Sequence, residues 1–140
     1  MAEGEHTLEA EVLTPEGAVF KGELFQLSTR TAVGEVGVRA RHAPMVARLV
    51  PAELRLHQSE GGDVERYAQG EGWLEVFANR ARVLIAEAIR PEDLDSSDLR
   101  ERMEDAERRV DEADEGSAAR EQAERDRTRA EAFLEIAENR

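Results

Sequence analysis

Apolar and polar residues alternate along several short stretches between residues 1 and 90. In "TLEAEVL" the alternation places Leu8, Ala10 and Val12 on one face, and in "ELRLH" it places Leu54 and Leu56 together. Two further stretches, "WLEVF" and "RVLIA", are rich in residues that favour strands. Because a period of two is typical of half-buried strands, the alternation predicts a domain built from short strands.

Turn signals separate these stretches. They stand at "PEG" (Pro15–Gly17), "SEGGD" (Ser59–Asp63) and "FANRA" (Phe77–Ala81). Nine of the ten glycines and three of the four prolines precede Pro91, and such residues mark connections between elements. Short strands with this spacing predict an antiparallel β-sandwich or barrel over residues 1–90.

The period of the apolar residues changes after residue 91. They recur at steps of four and three, which is typical of one helix face, at Leu99, Met103, Ala106, Val110 and Ala113. Asp95, Ser96 or Ser97 can cap the start, because an oxygen there accepts a free amide hydrogen of the first turn. This pattern predicts a first helix after the cap.

A second helix follows a short turn, "DEGSA". Gly116 is expected to end the first helix and Ser117 to cap the second, which should run from about Ala118 to Glu138. Its predicted apolar side consists of Ala119, Ala123, Ala130, Phe133, Leu134 and Ala137. Residues 91–140 are therefore predicted to form an antiparallel two-helix hairpin, a second domain after the β-sandwich.

Composition and charge narrow the classes of function. The 140-residue chain has a net charge of −13, divided as −4 over residues 1–90 and −9 over residues 91–140. Nucleic acid and anionic lipid repel such a chain, so neither is expected as a direct partner. The absence of cysteine excludes disulfides and thiolate metal sites. We see no secretory signal, and the longest apolar run, "VLIA", is too short to insert across a bilayer.

Candidate catalytic residues are sparse. His6, His42 and His57 lie in separate elements without the spacing of a metal site. There is no GxSxG elbow and no phosphate-binding loop, and Lys21 is the single lysine. A turn histidine bonded to the backbone is the expected role of His42. A hydrolase that uses His42 is the enzyme alternative.

The predicted hairpin leaves two questions open. Its seam is rich in alanine, and a buried alanine contributes about 0.8 kcal/mol against roughly 1.5–3 for leucine, so the hairpin is either permanently docked or movable. Seven of its nine arginines either solvate a helix face or bind a carboxylate-rich partner; they are Arg100, Arg102, Arg108, Arg109, Arg125, Arg127 and Arg129.

Four motifs occur in an order that resembles a known family. "GEVGV" (Gly34–Val38) with "HAP" (His42–Pro44), then "GWLEV" (Gly72–Val76), "VLIAEAIRPEDLD" (Val83–Asp95) and a charged helical hairpin resemble the epsilon subunit of F-type ATP synthase. "HTLEAEVLTPEGAVFKGE" looks like the first β-hairpin of that subunit, so the resemblance runs from residue 6 to the end. It implies a sandwich of about ten short strands and no catalytic role.

The resemblance also implies partners for the β domain. In that family it binds the gamma subunit and stands on the membrane ring of c subunits. The "GEVGV" segment would then be a turn that contacts the ring through Gly34, Glu35, Val36 and Gly37, with Glu35 at its tip. His42 and Pro44 would hold the return of that turn in shape.

For the hairpin the resemblance implies a brake on ATP hydrolysis. Extended, it would contact the alpha and beta subunits, with Arg108, Arg109 and Arg125 as contact residues. Some bacterial members bind ATP through [I/L]-D-x-x-R-A, which here corresponds to Leu94 and Asp95, with Arg100 as a shifted substitute for the arginine.

That arginine position of the motif holds Asp98 in this chain. A carboxylate repels phosphate, so we expect no cofactor. The reading places the chain at the cytoplasmic face of a bacterial plasma membrane, as a peripheral rotor subunit that couples gamma to the c ring. The alternative from another class is an adaptor or chaperone with a β docking head and a client-holding hairpin.

Overall fold

The computed structural model describes residues 6–140, which fall into two compact units. One unit ends at Ile89 and the other spans Arg90–Arg140. The described part of the first unit is built of strands, and the second unit contains two α-helices. No helix within residues 6–140 is long and apolar enough to cross a membrane.

The first unit contains ten short strands. They are β1 (Leu8–Thr14), β2 (Gly17–Leu24), β3 (Gln26–Thr31), β4 (Gly34–Arg39), β5 (Met45–Leu49), β6 (Ala52–His57), β7 (Val64–Gln69), β8 (Gly72–Phe77), β9 (Arg80–Ile85) and β10 (Ala88–Ile89). The predicted sandwich of about ten strands is confirmed, and the three predicted turns each connect two consecutive strands.

The strands form two groups of five. One group has the order β4-β3-β6-β7-β10 and the other β5-β8-β9-β1-β2. The groups join where Thr31 of β3 pairs with Leu49 of β5. Strands β1 and β9 run parallel, and the other pairs within residues 6–140 are antiparallel. The result is a nearly closed sandwich.

The core of the sandwich is filled from both groups. The alternating residues singled out in the sequence, Leu8, Ala10, Val12, Leu54 and Leu56, are all buried in one cluster. Their neighbours in that cluster are mainly aliphatic: Leu24, Leu27, Val38, Leu49, Leu74, Val76, Val83 and Ile85. Period two along the chain therefore reports which face of each strand packs inward.

Gly72 in the "GWLEV" motif is required by a close approach of backbones. A β-carbon at this position would lie 1.9 Å from the Leu84 carbonyl oxygen. Gly72 opens β8 and pairs with Ile85, the last residue of β9. The glycine thus allows β8 and β9 to pair up to their ends.

The second unit begins with a short 3₁₀ turn at Pro91–Asp93, followed by α1 (Ser96–Glu112) and α2 (Ala118–Glu138). The Asp95 side chain accepts the Asp98 backbone N–H and so caps α1. The Ser117 hydroxyl accepts the Arg120 N–H at 3.1 Å and caps α2, as predicted. These bounds confirm the two-helix hairpin.

The first helix ends earlier than its sequence predicts. It stops at Glu112, because Ala113 adopts an extended conformation with ψ 148°. Gly116, with φ +77°, lies inside the connecting turn instead of ending the helix. The connection between the helices is therefore longer than the glycine alone indicates.

Small side chains form the seam between the helices. The buried residues are Leu99, Ala106 and Val110 of α1 with Ala123, Ala130, Phe133 and Ala137 of α2. Ala119 was predicted to join them but is exposed. At that end of the hairpin the contact across the helices comes from Arg120, whose Nη1 donates to the Val110 carbonyl oxygen at 3.1 Å.

Candidate functional site

The "GEVGV" segment is a strand, which corrects its prediction as a turn. Residues from Gly34 onward pair with β3, and the two-residue turn before them consists of Ala32 and Val33. The Thr31 hydroxyl closes this turn, since it accepts the Val33 N–H and donates to the Gly34 carbonyl oxygen. Gly34 has φ +134°, which only glycine adopts readily. We call Ala32–Val33 the Val33 turn.

Glu35 does not lie at the tip of the turn. It is the second residue of β4, opposite Arg30, and the two side chains form an ion pair at 3.3 Å. The exposed tip is Val33, which is 97% exposed. The tip of the hairpin is therefore apolar, and the ion pair lies one residue pair beyond Thr31 and Gly34, which close the turn.

Gly37 leaves space for a side chain of the neighbouring strand. A β-carbon there would lie 3.3 Å from Nε2 of Gln26 on β3. The Gln26 side chain occupies this space, donating to the Ser28 hydroxyl at 2.6 Å and accepting from Arg39 Nε at 2.7 Å. Among the described residues β4 pairs only with β3, so this polar network stabilises an edge strand.

His42 and Pro44 lie at the opposite end of β4 from the Val33 turn. The six residues of β4 separate them from it by about 17 Å at the usual rise of a strand. They belong to the connection between β4 and β5, the Ala40–Pro44 loop. The prediction that they hold the return of the ring-contacting turn is therefore wrong in its geometry, because β4 itself is that return.

Backbone hydrogen bonds shape the Ala40–Pro44 loop. The His42 N–H donates to the Arg39 carbonyl oxygen at 3.2 Å, and ring nitrogen Nδ1 lies 2.7 Å from the Ala43 carbonyl oxygen. His42 is thus a turn histidine bonded to the backbone. No group of histidine, aspartate and glutamate suited to hold a metal ion occurs within residues 6–140.

Asn79 clamps the same loop from a distant part of the sequence. It lies in the β8–β9 turn, and its side-chain oxygen accepts the Arg41 N–H at 2.8 Å. Its amide nitrogen donates to the Thr7 carbonyl oxygen at 3.0 Å. Sequence reasoning marked "FANRA" only as a turn, and the asparagine, which tolerates positive φ, was the available signal.

A basic patch on the outer side of the first strand group was not predicted. His57 lies among Arg39, Arg55 and Arg66, and its pKa is lowered first by burial and then by these three guanidinium groups. Glu53 accepts from Arg55 at 3.3 Å and from Arg66 at 3.0 Å. Two of the three guanidinium groups therefore share one carboxylate, and Arg39 donates to the uncharged Gln26 side chain instead.

The predicted contact arginines of the hairpin differ in their surroundings. Arg109 bridges the helices, binding Asp105 of α1 and Asp126 of α2, each at 2.9 Å. These hydrogen bonds raise the pKa of Arg109, and the bond from Arg109 lowers the pKa of Asp105. Arg108 also binds Asp105, and Arg125 donates to a neighbouring glutamine, but both side chains are exposed. Two of the three remain accessible to a partner.

The predicted nucleotide-binding residues all take part in contacts within the hairpin. Leu94 is buried and its carbonyl oxygen accepts from Arg140 at 2.8 Å. Asp95 caps α1, and Arg100 pairs with Glu138 of α2 at 2.9 Å. Together these contacts join the start of the hairpin to the C-terminal end of α2.

Comparison with known proteins identifies the family. A family described as the ATP synthase, Delta/Epsilon chain, beta-sandwich domain matches residues 7–91. The ATP synthase epsilon chain of Halalkalibacterium halodurans is 36% identical over 107 residues, 76% of this chain and 79% of that one. This chain belongs to the ATP synthase epsilon chain family. The epsilon chain of Persephonella marina is 35% identical over 128 residues, 91% of this chain and 93% of its own.

Solved structures agree with this family. A chain in the Euglena gracilis mitochondrial ATP synthase, OSCP/F1/c-ring, superposes with a TM-score of 0.81 and 27% identity, over 94% of this chain and 81% of that one. A chain of the Tetrahymena thermophila mitochondrial ATP synthase central stalk/c-ring has a TM-score of 0.62 at 15% identity, which shows a shared fold. Epsilon chains are non-catalytic subunits of ATP synthase. Membership of this family therefore contradicts both alternative functions, the hydrolase and the adaptor.

Proposed function

We propose that this chain is a rotor subunit in the central stalk of an ATP synthase, where its sandwich couples the gamma subunit to the c ring. The observation that carries this proposal is the match of residues 7–91 to the epsilon β-sandwich family. The similarity to epsilon chains of bacteria makes the cytoplasmic face of a bacterial plasma membrane the expected location. The chain would be peripheral there.

The c-ring contact is assigned to the Val33 turn and the start of β4, which holds Gly34, Glu35, Val36 and Gly37. Val33 presents an apolar tip, and the Arg30–Glu35 ion pair follows it on the ladder. Every residue of β4 pairs with β3, so force applied at the tip passes into the sheet. A subunit that transmits torque needs such a rigid contact surface.

The hairpin is proposed to inhibit ATP hydrolysis by contacting the alpha and beta subunits. Exposed Arg108 and Arg125 offer forked donors to carboxylates of those subunits. Arg109 would act indirectly, because its guanidinium already joins the two helices. Leu94, Asp95 and Arg100 are taken up by internal contacts, which supports a hairpin that works without bound nucleotide.

A truncation separates coupling from inhibition. A chain ending at Ile89 keeps the whole strand unit and removes the hairpin. In reconstituted complexes it should support proton pumping coupled to ATP, while ATP hydrolysis should rise. The full-length Arg108→Ala/Arg125→Ala variant should reproduce part of that rise without deleting any element.

The outcomes of this experiment are distinct. Unchanged hydrolysis in the truncated complex would reject the inhibitory hairpin but leave the coupling role intact. Loss of coupling in a complex that still contains the truncated chain would contradict the assignment of coupling to the sandwich. Failure of the full-length chain to enter the complex would contradict the rotor role itself.

A further inference from the structure

Arg41 adopts a backbone conformation that an arginine seldom takes. Its φ is +63°, in the left-handed region where a β-carbon crowds the following carbonyl oxygen. Glycine would sit there without strain. Backbone strain of this kind persists where the surroundings hold it in place, and it is found preferentially at functional sites.

One hydrogen bond holds the strained residue, and two more anchor its partner Asn79. The Arg41 N–H donates to Asn79, and Asn79 in turn binds the carbonyl oxygen of Thr7. Asn79 also accepts the Glu9 N–H through its own carbonyl oxygen at 3.1 Å. The Ala40–Pro44 loop is thereby fixed to β1 and to the β8–β9 turn. Its conformation is set before any partner arrives.

The side chain of Arg41 is exposed, and its guanidinium has no hydrogen-bond or ion-pair partner within residues 6–140. Many other arginines of the strand unit are paired with a glutamate: Arg30, Arg55, Arg66, Arg80 and Arg82. Acidic residues outnumber basic ones in the chain, 32 against 19, yet the Arg41 guanidinium is unpaired. On a fixed loop it is available to a carboxylate of another protein.

An exposed apolar residue lies at the same end of the sandwich as Arg41. Phe77, at the end of β8, is 71% exposed. Because Met45 pairs with Val76, Pro44 and Phe77 meet at the same end of the β5–β8 ladder, and the Arg41 N–H binds Asn79 in the turn that follows Phe77. This rim of the sandwich thus carries an exposed ring, a proline and a cation, a combination that suits a protein segment with a carboxylate.

We propose that Arg41 binds a carboxylate side chain of the gamma subunit. This inference rests on the proposed rotor function. The Ala40–Pro44 loop and the Val33 turn lie at opposite ends of β4. If the Val33 turn contacts the c ring, the loop lies at the end of β4 away from the ring, where we expect the gamma subunit.

The test is the affinity of the purified full-length chain for purified gamma subunit, together with thermal unfolding. Arg41→Gly should weaken binding about tenfold or more, the usual effect of losing a charged hydrogen bond. The same change should raise the Tm, because it relieves the positive-φ strain. A residue that only supports the fold would lower both quantities.

Two control variants sharpen the result. Arg80→Gln removes the same charge at the same end of the sandwich, from an arginine already paired with Glu9, and should keep the wild-type affinity. Asn79→Gly keeps a positive φ accessible but removes both side-chain bonds, so it should weaken binding and lower the Tm. Arg41→Lys should fall between wild type and Arg41→Gly.

Wild-type affinity in Arg41→Gly would overturn this inference while leaving the rotor function in place. An equal loss in Arg80→Gln would reduce the effect to general electrostatics and would also overturn it. No binding of gamma by the wild-type chain would overturn the proposed function itself.

Discussion

The sandwich and the hairpin are held together by different kinds of contact. The sandwich buries large aliphatic side chains between paired strands, whereas the two helices of the hairpin bury four alanines, one leucine, one valine and Phe133. Each buried alanine methyl contributes about 0.8 kcal/mol, against roughly 1.5–3 for a larger side chain. The hairpin therefore depends on one aromatic ring and on polar bridges between its helices.

This difference matches the two mechanical tasks that we propose for the chain. Torque requires a body that does not deform, and many paired strands around one core provide it. An inhibitory element must be able to change its contacts, and a seam of small residues with charged bridges such as Arg109–Asp126 resists such change less. Surface ion pairs of this type contribute about 0–1 kcal/mol each.

The largest effect is expected from Phe133→Ala. Phe133 is fully buried and is the largest buried side chain of the hairpin. Removing its ring should lower the free energy of unfolding of the hairpin by about 3–5 kcal/mol. The small side chains that remain in the seam cannot offset this loss. Circular dichroism should show a loss of helix, while amide exchange in β1 and β9 stays slow.

The matched change in the sandwich is Leu54→Ala, with an expected cost of about 2–5 kcal/mol. It should lower the stability of the strand unit and leave the helical signal of the folded chain unchanged. If Phe133→Ala lowered the protection of the strands as strongly as Leu54→Ala, the sandwich and the hairpin would not be stabilised by separate sets of contacts.

A smaller effect is expected from Gly72→Ala. The added methyl group would meet the Leu84 carbonyl oxygen, so the β8–β9 ladder must shift. Overpacking of this kind costs about 1–3 kcal/mol, measured as a lower midpoint in urea unfolding of the sandwich. Gly22→Ala in β2 is a useful control, because Gly22 lacks a positive φ and the nearest atom to an added β-carbon would be in the Phe20 ring at 3.4 Å, an ordinary contact distance. A loss in Gly72→Ala no larger than in this control would contradict the close-approach explanation.

The smallest effect concerns pH. The pKa of His57 is lowered from 6.5, so the unfolded chain takes up a proton while the folded sandwich resists it. Stability present above pH 6.5 is then lost as the pH falls through that value. His57→Gln should flatten this slope in urea unfolding measured above and below pH 6.5. An unchanged slope would contradict the assignment to His57.

The hairpin should respond at lower pH. Asp105 has its pKa lowered from 3.8, chiefly by the hydrogen bond from Arg109. Its contribution is present above 3.8 and is lost only as the pH falls below that value. Mild acid should therefore weaken the sandwich before it affects this part of the hairpin.

Features set by neighbouring residues were predictable from the sequence. Alternation located the core faces of β1 and β6, Ser117 marked the start of α2, and Asp95 is the one of three predicted candidates that caps α1. Each of these depends on contacts within a few residues or on a short period. The order of four motifs was sufficient to indicate the family.

Features set by distant residues were not predictable in this way. The family resemblance implies a turn at "GEVGV", whereas the segment is a strand in which Gly37 makes room for a side chain of the adjacent strand. The hydrogen bond between Arg41 and Asn79 joins residues 38 positions apart. Whether a side chain is free or paired, as for Arg41 and Arg109, depends on the folded chain and leaves no periodic signal.

The parallel pairing of β1 with β9 has a consequence for synthesis. The first strand lies between β9 and β2, so one of its two neighbours is made about seventy residues later. On the ribosome β1 and β2 can form a hairpin early, but the sandwich stays open along one side until β9 has emerged. Asn79 directly precedes β9, so the rim that carries Arg41 is completed only late in the synthesis of the sandwich, and a nascent chain stalled before residue 79 would lack it.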